Sequence, residues 1–139
     1  MKKTVDINFS NFIVNENSSE KYEFIGEGSL EVIDDFTLIK FKDEDSNALI
    51  ELYFKSNHII LKKIDFNVKS MLEFIPDRDV INYYQTPYGE LKLITKVVSY
   101  KYELNKIHLI YTLLNEKSKI GDYQLRIQYK EREDEYKYC

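Results

Sequence analysis

Apolar and polar residues alternate along most of the chain, and a period of two is typical of β-strands with one buried face. The segment from Tyr123 to Lys130 alternates without exception. Near the start of the chain, Val5, Ile7 and Phe9 form a similar apolar face. No segment shows a convincing helical period, so the pattern predicts an all-β protein.

Turn residues divide the alternating pattern into about ten predicted strands. These cover residues 4–10, 22–32, 36–41, 48–54, 59–66, 68–75, 80–86, 90–104, 108–114 and 123–130. Parallel neighbours need connections of about a dozen residues or more, and every connection here is shorter. A Greek key also needs a long return connection. The sequence therefore predicts a single antiparallel up-and-down β-barrel of about 8–10 strands rather than a Greek-key sandwich.

Two short segments carry more specific backbone predictions. Gly26 and Gly28 fall in the apolar phase of the second strand, which predicts a sharp bend there, as barrel corners require. In the segment from Thr86 to Gly89, Pro87 suits the second position of a type I turn and Gly89 suits a left-handed residue. We therefore predict a three-residue hairpin loop with a G1 bulge.

Length and composition indicate one domain, which we place at residues 1–130, followed by a charged tail at 131–139. The formal net charge is −4, and the single cysteine is Cys139, so no internal disulfide can form. The first residues contain lysines but no apolar run of the kind that a signal peptide needs, and no segment is apolar enough to span a membrane. These features predict a cytoplasmic protein that binds no membrane.

Three side chains with hydroxyl groups share one phase of the seventh predicted strand and its turn: Tyr84, Thr86 and Tyr88. Their hydroxyls are expected to converge at one end of the barrel, where closed barrels admit ligands. The alternative is purely structural, because Thr86 can cap the turn while Tyr88 serves only its geometry. No histidine or aspartate lies in this segment to activate a nucleophile.

Two charges interrupt apolar phases, Lys63 in the fifth predicted strand and Glu73 in the sixth. Facing inward they would mark a polar pocket, although we expect both to point outward. His58 and His108 lie at strand starts without a neighbouring ligand, so we expect no metal site and no cofactor.

A basic and aromatic stripe is predicted on the longest strand, where Lys92, Lys96, Tyr100 and Tyr102 share one phase. Such a surface can bind single-stranded nucleic acid. The net negative charge favours a plain solvated outer face instead, so we expect no nucleic-acid partner.

Two segments resemble a known family. Met71-Leu72-Glu73-Phe74, followed by the stretch Tyr84–Leu93 with its Tyr-x-Thr-Pro-Tyr-Gly signature, is similar to the YwiB-like bacterial family. The resemblance implies a lipocalin-like (calycin) β-barrel with no established function. Where the family pattern has Arg-x-Gly before Met71, this chain has Lys63-Ile64-Asp65, and lysine cannot reproduce the bidentate contacts of arginine.

The leading functional hypothesis is non-catalytic binding of a small apolar or amphipathic molecule inside the barrel, with Tyr84, Thr86, Tyr88 and Lys63 as candidate ligand-binding residues. The alternative is a protein-interaction or structural module whose barrel is filled by its own side chains. A homodimer is compatible with either hypothesis. An enzyme is the least favoured class, because the sequence offers no acid–base or metal constellation.

Overall fold

The structure is a computed structural model that describes residues 2–15, 17–65, 69–116 and 118–132, without the side chain of Gln85. The described residues form ten β-strands. The strands are β1 Lys3–Val14, β2 Ser19–Ile33, β3 Phe36–Lys42, β4 Leu49–Lys55, β5 His58–Ile64, β6 Lys69–Phe74, β7 Val80–Thr86, β8 Gly89–Glu103, β9 Lys106–Leu114 and β10 Lys119–Glu131. The described residues contain no helix, and hence no helix that could cross a membrane. The predicted all-β class is confirmed.

The strands form one antiparallel sheet in the order β6-β5-β4-β3-β2-β1-β10-β9-β8-β7. Strands that follow one another in the chain are neighbours in the sheet, apart from β6 and β7, which form no ladder. The first and last strands, β1 and β10, also pair with each other. β6 nevertheless lies against β7 and β8, which brings the two ends of the sheet together into a nearly closed barrel. The predicted up-and-down topology is confirmed.

The register places the apolar phases of all strands on the inner face. Phe9 is level with Phe24 on β2 and with Ile127 on β10, and directly paired residues lie on the same side of a sheet. The buried core comes from these inward positions: Val5, Ile7, Phe9, Leu30, Ile39, Phe41, Ile50, Leu52, Phe54, Ile59, Phe74, Ile107, Leu109, Tyr111, Leu125 and Ile127.

The two ends of the barrel differ in how they are filled. At one end, which we call the packed end, the turns at 34–35, 56–57 and 104–105 meet. There the ring of Phe54 contacts those of Tyr102 and Tyr129 at centroid distances of 6.2 and 6.0 Å. The Tyr100 hydroxyl crosses the interior and donates a hydrogen bond to the Lys55 carbonyl oxygen at 2.8 Å. The other end, the open end, carries the connections after β1, β3, β7 and β9.

Gly28 lies on the inner face of β2, as the sequence pattern predicted. A β-carbon at this position would collide with the side chain of Ile7 and the carbonyl oxygen of Lys40. Glycine therefore allows β3 to approach β2 closely at the point where their ladder begins, at Ser29.

The hairpin turn between β7 and β8 differs from the prediction. Thr86 pairs directly with Gly89 and the register is regular, so the loop has two residues and no bulge. Gly89 does have a positive φ of 124°, as expected. The predicted three-residue loop is wrong because the pairing continues one residue further toward the turn than Pro87 suggested.

Some predictions concern residues outside those that the structure describes. These are the end of the fifth strand and its turn at 66–67, the strand start at residue 68, and the tail from residue 133 to Cys139. Within the described part, β10 continues to Glu131, one residue past the predicted domain boundary. Arg132 then pairs with Asp6 at 2.5 Å and with Glu27 at 3.2 Å.

Candidate functional site

A cavity of about 210 Å³ lies inside the open end of the barrel. It is lined by residues of β1, β2, β4 and β5: Phe9, Asn11, Ile13, Tyr22, Ile50, Leu61 and Lys63. An apolar cavity of about 150 Å³ is large enough to hold benzene, so this space suits a molecule of one or two rings.

The strand pairing explains why these residues meet. Asn11 and Ile13 continue the inward phase of β1, and Asn11 is directly opposite Tyr22 on β2. On the other wall, Ile50 is paired with Lys63. The alternation that buries the core therefore also places the amide of Asn11, the phenol of Tyr22 and the amine of Lys63 at the open end.

Two polar atoms of the cavity wall, the Asn11 Oδ1 and the Tyr22 hydroxyl, are buried without a hydrogen bond of regular geometry. Their polar neighbours are the Tyr111 hydroxyl beside Asn11 and the Asp43 carboxylate beside Tyr22. Buried polar groups in native proteins nearly always have a partner, and an unpaired one costs about 1–3 kcal/mol. The open end thus presents unsatisfied hydrogen-bonding capacity inside an otherwise apolar wall.

Charged groups stand at the rim of the cavity. Burial, followed by the neighbouring Asp43 carboxylate, raises the pKa of Tyr22 to about 12, so the phenol stays protonated at neutral pH. Burial would raise the pKa of Asp43, but a hydrogen bond from the Asp45 amide and the nearby charge of Lys63 contribute to lowering it. Lys63 itself is exposed, and Asp43 partly balances its charge.

Comparison with known proteins adds a family and a fold. A family model described as a domain of unknown function (DUF1934) matches residues 7–127. The chain belongs to this family. The structure is similar to that described as "Crystal structure of ywiB protein from Bacillus subtilis", with a TM-score of 0.76 and 17% identity over 95% of this chain and 94% of that chain. The similarity to YwiB-like proteins is confirmed, and at this identity it concerns the fold alone. No curated protein matches the chain.

The predicted trio of hydroxyls is not brought together in this DUF1934 domain. Tyr84 lies on the inner phase of β7 opposite Leu91. The Thr86 hydroxyl donates to the Gly89 carbonyl oxygen at 2.7 Å and accepts from the Tyr88 amide at 3.1 Å, so it caps the turn. Tyr88 is 99% exposed at the tip of the turn. The structural alternative therefore describes Thr86 and Tyr88, and none of the three hydroxyls lines the cavity.

The two interrupting charges point in opposite directions. Glu73 pairs with Ile60 on the outer face, as expected, and its carboxylate contacts the ring of His58. The expectation for Lys63 is wrong, because Lys63 shares the inner phase of Ile59 and Leu61 and lines the cavity. Lys63 is close to the end of β5, so its side chain can start inside the barrel while its amine reaches water.

Asn11 and Tyr22 are the cavity residues that sequence reasoning missed. A signal was present for Asn11, because it continues the phase of Val5, Ile7 and Phe9, and an amide in an apolar phase marks a polar site inside a barrel. Tyr22 gave no comparable signal, because an inward tyrosine is ordinary in a barrel core.

The predicted basic and aromatic stripe on β8 does not exist as one surface. A bulge between Val97 and Ser99 inserts an extra residue and reverses the phase of the strand. Lys92 and Lys96 therefore point outward, whereas Tyr100 points into the barrel.

The histidines are separated by the fold. His58 contacts Glu73 on the outer face of β5 and β6, while His108 lies on β9 between Lys101 and Arg126. Burial, followed by the charges of Arg126 and Lys101, lowers the pKa of His108. Among the described residues, no three histidine, cysteine, aspartate or glutamate side chains form a group that could hold a metal ion.

Proposed function

We propose that this protein binds a small amphipathic molecule in the cavity at the open end of its barrel, without transforming it chemically. The observation that carries the proposal is the combination of a mostly apolar cavity of about 210 Å³ with two buried polar atoms that make no hydrogen bond of regular geometry. A bound molecule with one polar group would satisfy these atoms and fill the space.

The wall chemistry indicates which ligand fits. Phe9, Ile13 and Leu61 offer an apolar surface, which suits a ring or a short branched chain. A hydroxyl or N–H group on the ligand can donate to the Asn11 Oδ1, and an oxygen can accept from the Tyr22 hydroxyl. Because the Tyr22 phenol and Asn11 amide are both uncharged, the buried end of the ligand is expected to be neutral.

The size of the cavity limits the affinity. A ligand that buries about 100 Å² of apolar surface gains about 2.5 kcal/mol, and each hydrogen bond adds about 1 kcal/mol. Since the loss of translational and rotational freedom opposes binding, dissociation constants of about 0.1–10 mM are expected for single-ring compounds. Tighter binding requires a ligand that extends past Lys63 into the rim.

Binding is favoured over catalysis because the contact between a histidine and a carboxylate that the described residues form, His58 with Glu73, is remote from the cavity. His58 and Glu73 face outward, whereas Phe9, Asn11 and Tyr22 face inward. The lipocalin-like barrel that the family resemblance implies offers a precedent, because lipocalin barrels hold one small ligand. The filled-barrel alternative draws its support from the packed end, where Tyr100 and Phe54 occupy the interior.

Native mass spectrometry of protein purified from its host tests the proposal in a first step, because a retained molecule adds its mass to the chain. A second step titrates phenol, a ring with one hydroxyl, into ¹⁵N-labelled protein and follows the amide signals of residues 9–13, 22 and 61. We expect shifts confined to these residues, with a dissociation constant of about 1 mM.

Two asparagine variants on the same strand provide the matched comparison. Asn11→Leu removes the inward amide and is expected to weaken phenol binding at least about fivefold. Asn8→Leu changes the outward face of β1 and is expected to leave binding unchanged. If neither a mass adduct nor a phenol-dependent shift at residues 9–13 occurs, the cavity does not bind such molecules and the proposal is wrong.

A further inference from the structure

The ladder of the barrel is broken at one junction between neighbouring strands, the seam between β6 and β7. Every other pair of neighbours in the sheet order is joined by an antiparallel ladder. Across the seam, the described strands share no ladder, and an isolated bridge between Ile75 and Arg78 lies below it. Two strand edges therefore face each other without pairing.

Side chains fasten the half of the seam nearest the packed end. The Asn82 Oδ1 accepts a hydrogen bond from the Glu73 amide at 2.8 Å, and the Thr95 hydroxyl donates to the Glu73 carbonyl oxygen at 2.5 Å. Asn82 and Thr95 are both buried. These contacts satisfy the backbone of Glu73 and hold β6 against β7 at this level.

In the half of the seam nearest the open end, the described strands do not pair with each other. No ladder joins residues 69–72 of β6 to residues 83–86 of β7. A strand edge of this kind presents backbone amides and carbonyls to any extended chain that approaches it.

Apolar side chains flank the seam on the outer face. Met71 on β6 is 46% exposed, and Ile81 and Tyr83 on β7 are 50% and 62% exposed. Their outward direction follows from the register, because Met71 is paired with Lys62 and Tyr83 with Lys92. We call these three residues, with the two edges between them, the seam patch.

The charge around the seam patch is opposite in sign to that of the whole protein. Four outward lysines surround it: Lys62, Lys69, Lys92 and Lys96. The acidic residues on the same face are Glu51, which is opposite Lys62 and also pairs with Lys40, Glu73, which contacts His58, and Glu90, which has an interaction of its own. The formal net charge of the chain is −4. The acidic groups concentrate instead around a cleft beside β2 and β3, lined by Glu23, Glu27, Asp43, Glu44 and Asp45.

We propose that the seam patch binds an extended, acidic segment of a partner protein by β-strand addition. Main-chain hydrogen bonds to a free sheet edge provide affinity in this mode of recognition, and alternate side chains provide specificity. Apolar residues of the segment lie on Met71 and Tyr83, and its carboxylates lie near the lysines.

The charges argue against a second copy of this chain as the occupant. A symmetric dimer through the seam patch would place the lysines of one protomer against those of the other, since a two-fold interface uses the same surface twice. Lysines on an edge also discourage pairing between like chains. An acidic partner removes this repulsion, so the lysines select for it while they prevent self-association.

A fluorescein-labelled, acetylated nine-residue peptide, ETITETITE, serves as the probe for binding to the full-length protein, because carboxylates and isoleucines alternate along one face of the extended strand. We expect saturable binding by fluorescence anisotropy, weakened at least about tenfold between 50 mM and 500 mM salt. Hydrogen exchange is expected to slow at the amides of residues 69–72 and 83–86 when the peptide is bound. A version of the peptide with every backbone nitrogen methylated keeps the charges but has no backbone N–H to donate at either edge, and it is expected not to bind.

Matched charge reversals identify the surface. Lys69→Glu combined with Lys92→Glu is expected to reduce the peptide affinity at least about tenfold. Lys106→Glu combined with Lys130→Glu makes the same change in charge on β9 and β10, away from the seam, and is expected to reduce it less than about twofold. Asn11→Leu in the ligand cavity is expected to have no effect, so this test is independent of the proposed function.

Four results would overturn the inference: no saturable binding, equal binding of the methylated peptide, equal effects of the two pairs of reversals, or exchange protection elsewhere than at β6 and β7. A fifth would be a dimer, seen by light scattering without peptide, whose formation protects the same amides. That result would assign the seam to a second copy of the chain.

Discussion

The packed end and the open end of this barrel are built from the same strands and the same alternating pattern, yet one is filled and the other holds a cavity. At the packed end, the ring of Phe54 contacts the rings of Tyr102 and Tyr129 inside the barrel. At the open end, the corresponding inward positions on β1 carry Asn11 and Ile13. A space of about 210 Å³ is left unfilled there.

The hydrogen bonds differ in the same way. The Tyr100 hydroxyl at the packed end donates a hydrogen bond to the Lys55 carbonyl oxygen on the opposite wall. The Tyr22 hydroxyl at the open end lies beside the Asp43 carboxylate without a hydrogen bond of regular geometry. A phenol at the packed end therefore contributes to the stability of the fold. A phenol at the open end is available for a ligand, and the fold loses little without its hydroxyl.

The largest expected effect compares two isoleucines. Ile59→Ala at the packed end removes a fully buried side chain and is expected to lower the free energy of unfolding by about 2–5 kcal/mol. Ile13→Ala at the partly exposed cavity wall is expected to cost less than about 1.5 kcal/mol, because the site already borders empty space. Urea denaturation of both variants measures the difference, and equal losses would contradict the distinction between the two ends.

An intermediate effect compares two tyrosines. Tyr100→Phe leaves the Lys55 carbonyl without its hydrogen bond and is expected to lower the free energy of unfolding by about 1–3 kcal/mol. Tyr22→Phe removes a hydroxyl that makes no hydrogen bond of regular geometry and has only the Asp43 carboxylate beside it, so the free energy of unfolding is expected to change by less than about 1 kcal/mol. Thermal denaturation of the ligand-free proteins tests this, and a larger loss for Tyr22→Phe would show that its hydroxyl stabilises the fold.

The smallest expected effect is a dependence on alkaline pH. Burial raises the pKa of Tyr100 and Tyr111, and burial with the Asp43 charge raises that of Tyr22 to about 12. An unfolded chain releases these protons near pH 10, while the folded protein retains them. The stabilising contribution is therefore complete below about pH 10 and is lost as the pH rises further.

Tyr100→Phe sharpens this measurement. The variant is less stable than the original protein at pH 7, but its free energy of unfolding is expected to fall less steeply above about pH 10. Denaturation series at pH 7, 9, 10 and 11 measure both slopes. Parallel curves would mean that Tyr100 ionises with equal ease in the folded and unfolded states.

Local sequence patterns predicted most of the fold. Alternation located the strands, and the ends of β7 and β9, at Thr86 and Leu114, were placed correctly. The phase prediction failed on β8, because the bulge near Val98 adds one residue and turns Tyr100 from the outer to the inner face. A bulge depends on the pairing of two strands, and the residues of one strand carry little sign of it.

The site was less predictable than the fold. Thr86 and Tyr88 were candidates because they share a phase with Tyr84, but a phase does not reveal that a residue lies beyond the rim, in a turn. Lys63 lines the cavity wall, although its inward direction was not expected. Asn11 was detectable as a polar residue in an apolar phase, whereas the significance of Tyr22 depends on the absence of a hydrogen bond of regular geometry to its hydroxyl.

The amino-acid sequence by itself determined the strands, their antiparallel arrangement and the inward phase of most residues. These features depend on residues a few positions apart or on the strand that follows in the chain. Only the tertiary structure decided where the barrel is hollow and where its ladder breaks. Both depend on side chains that meet across the interior or across the seam, such as Tyr100 with Lys55 and Asn82 with Glu73. Contacts between residues so far apart in the chain follow from the curvature and closure of the whole sheet, which no local pattern specifies.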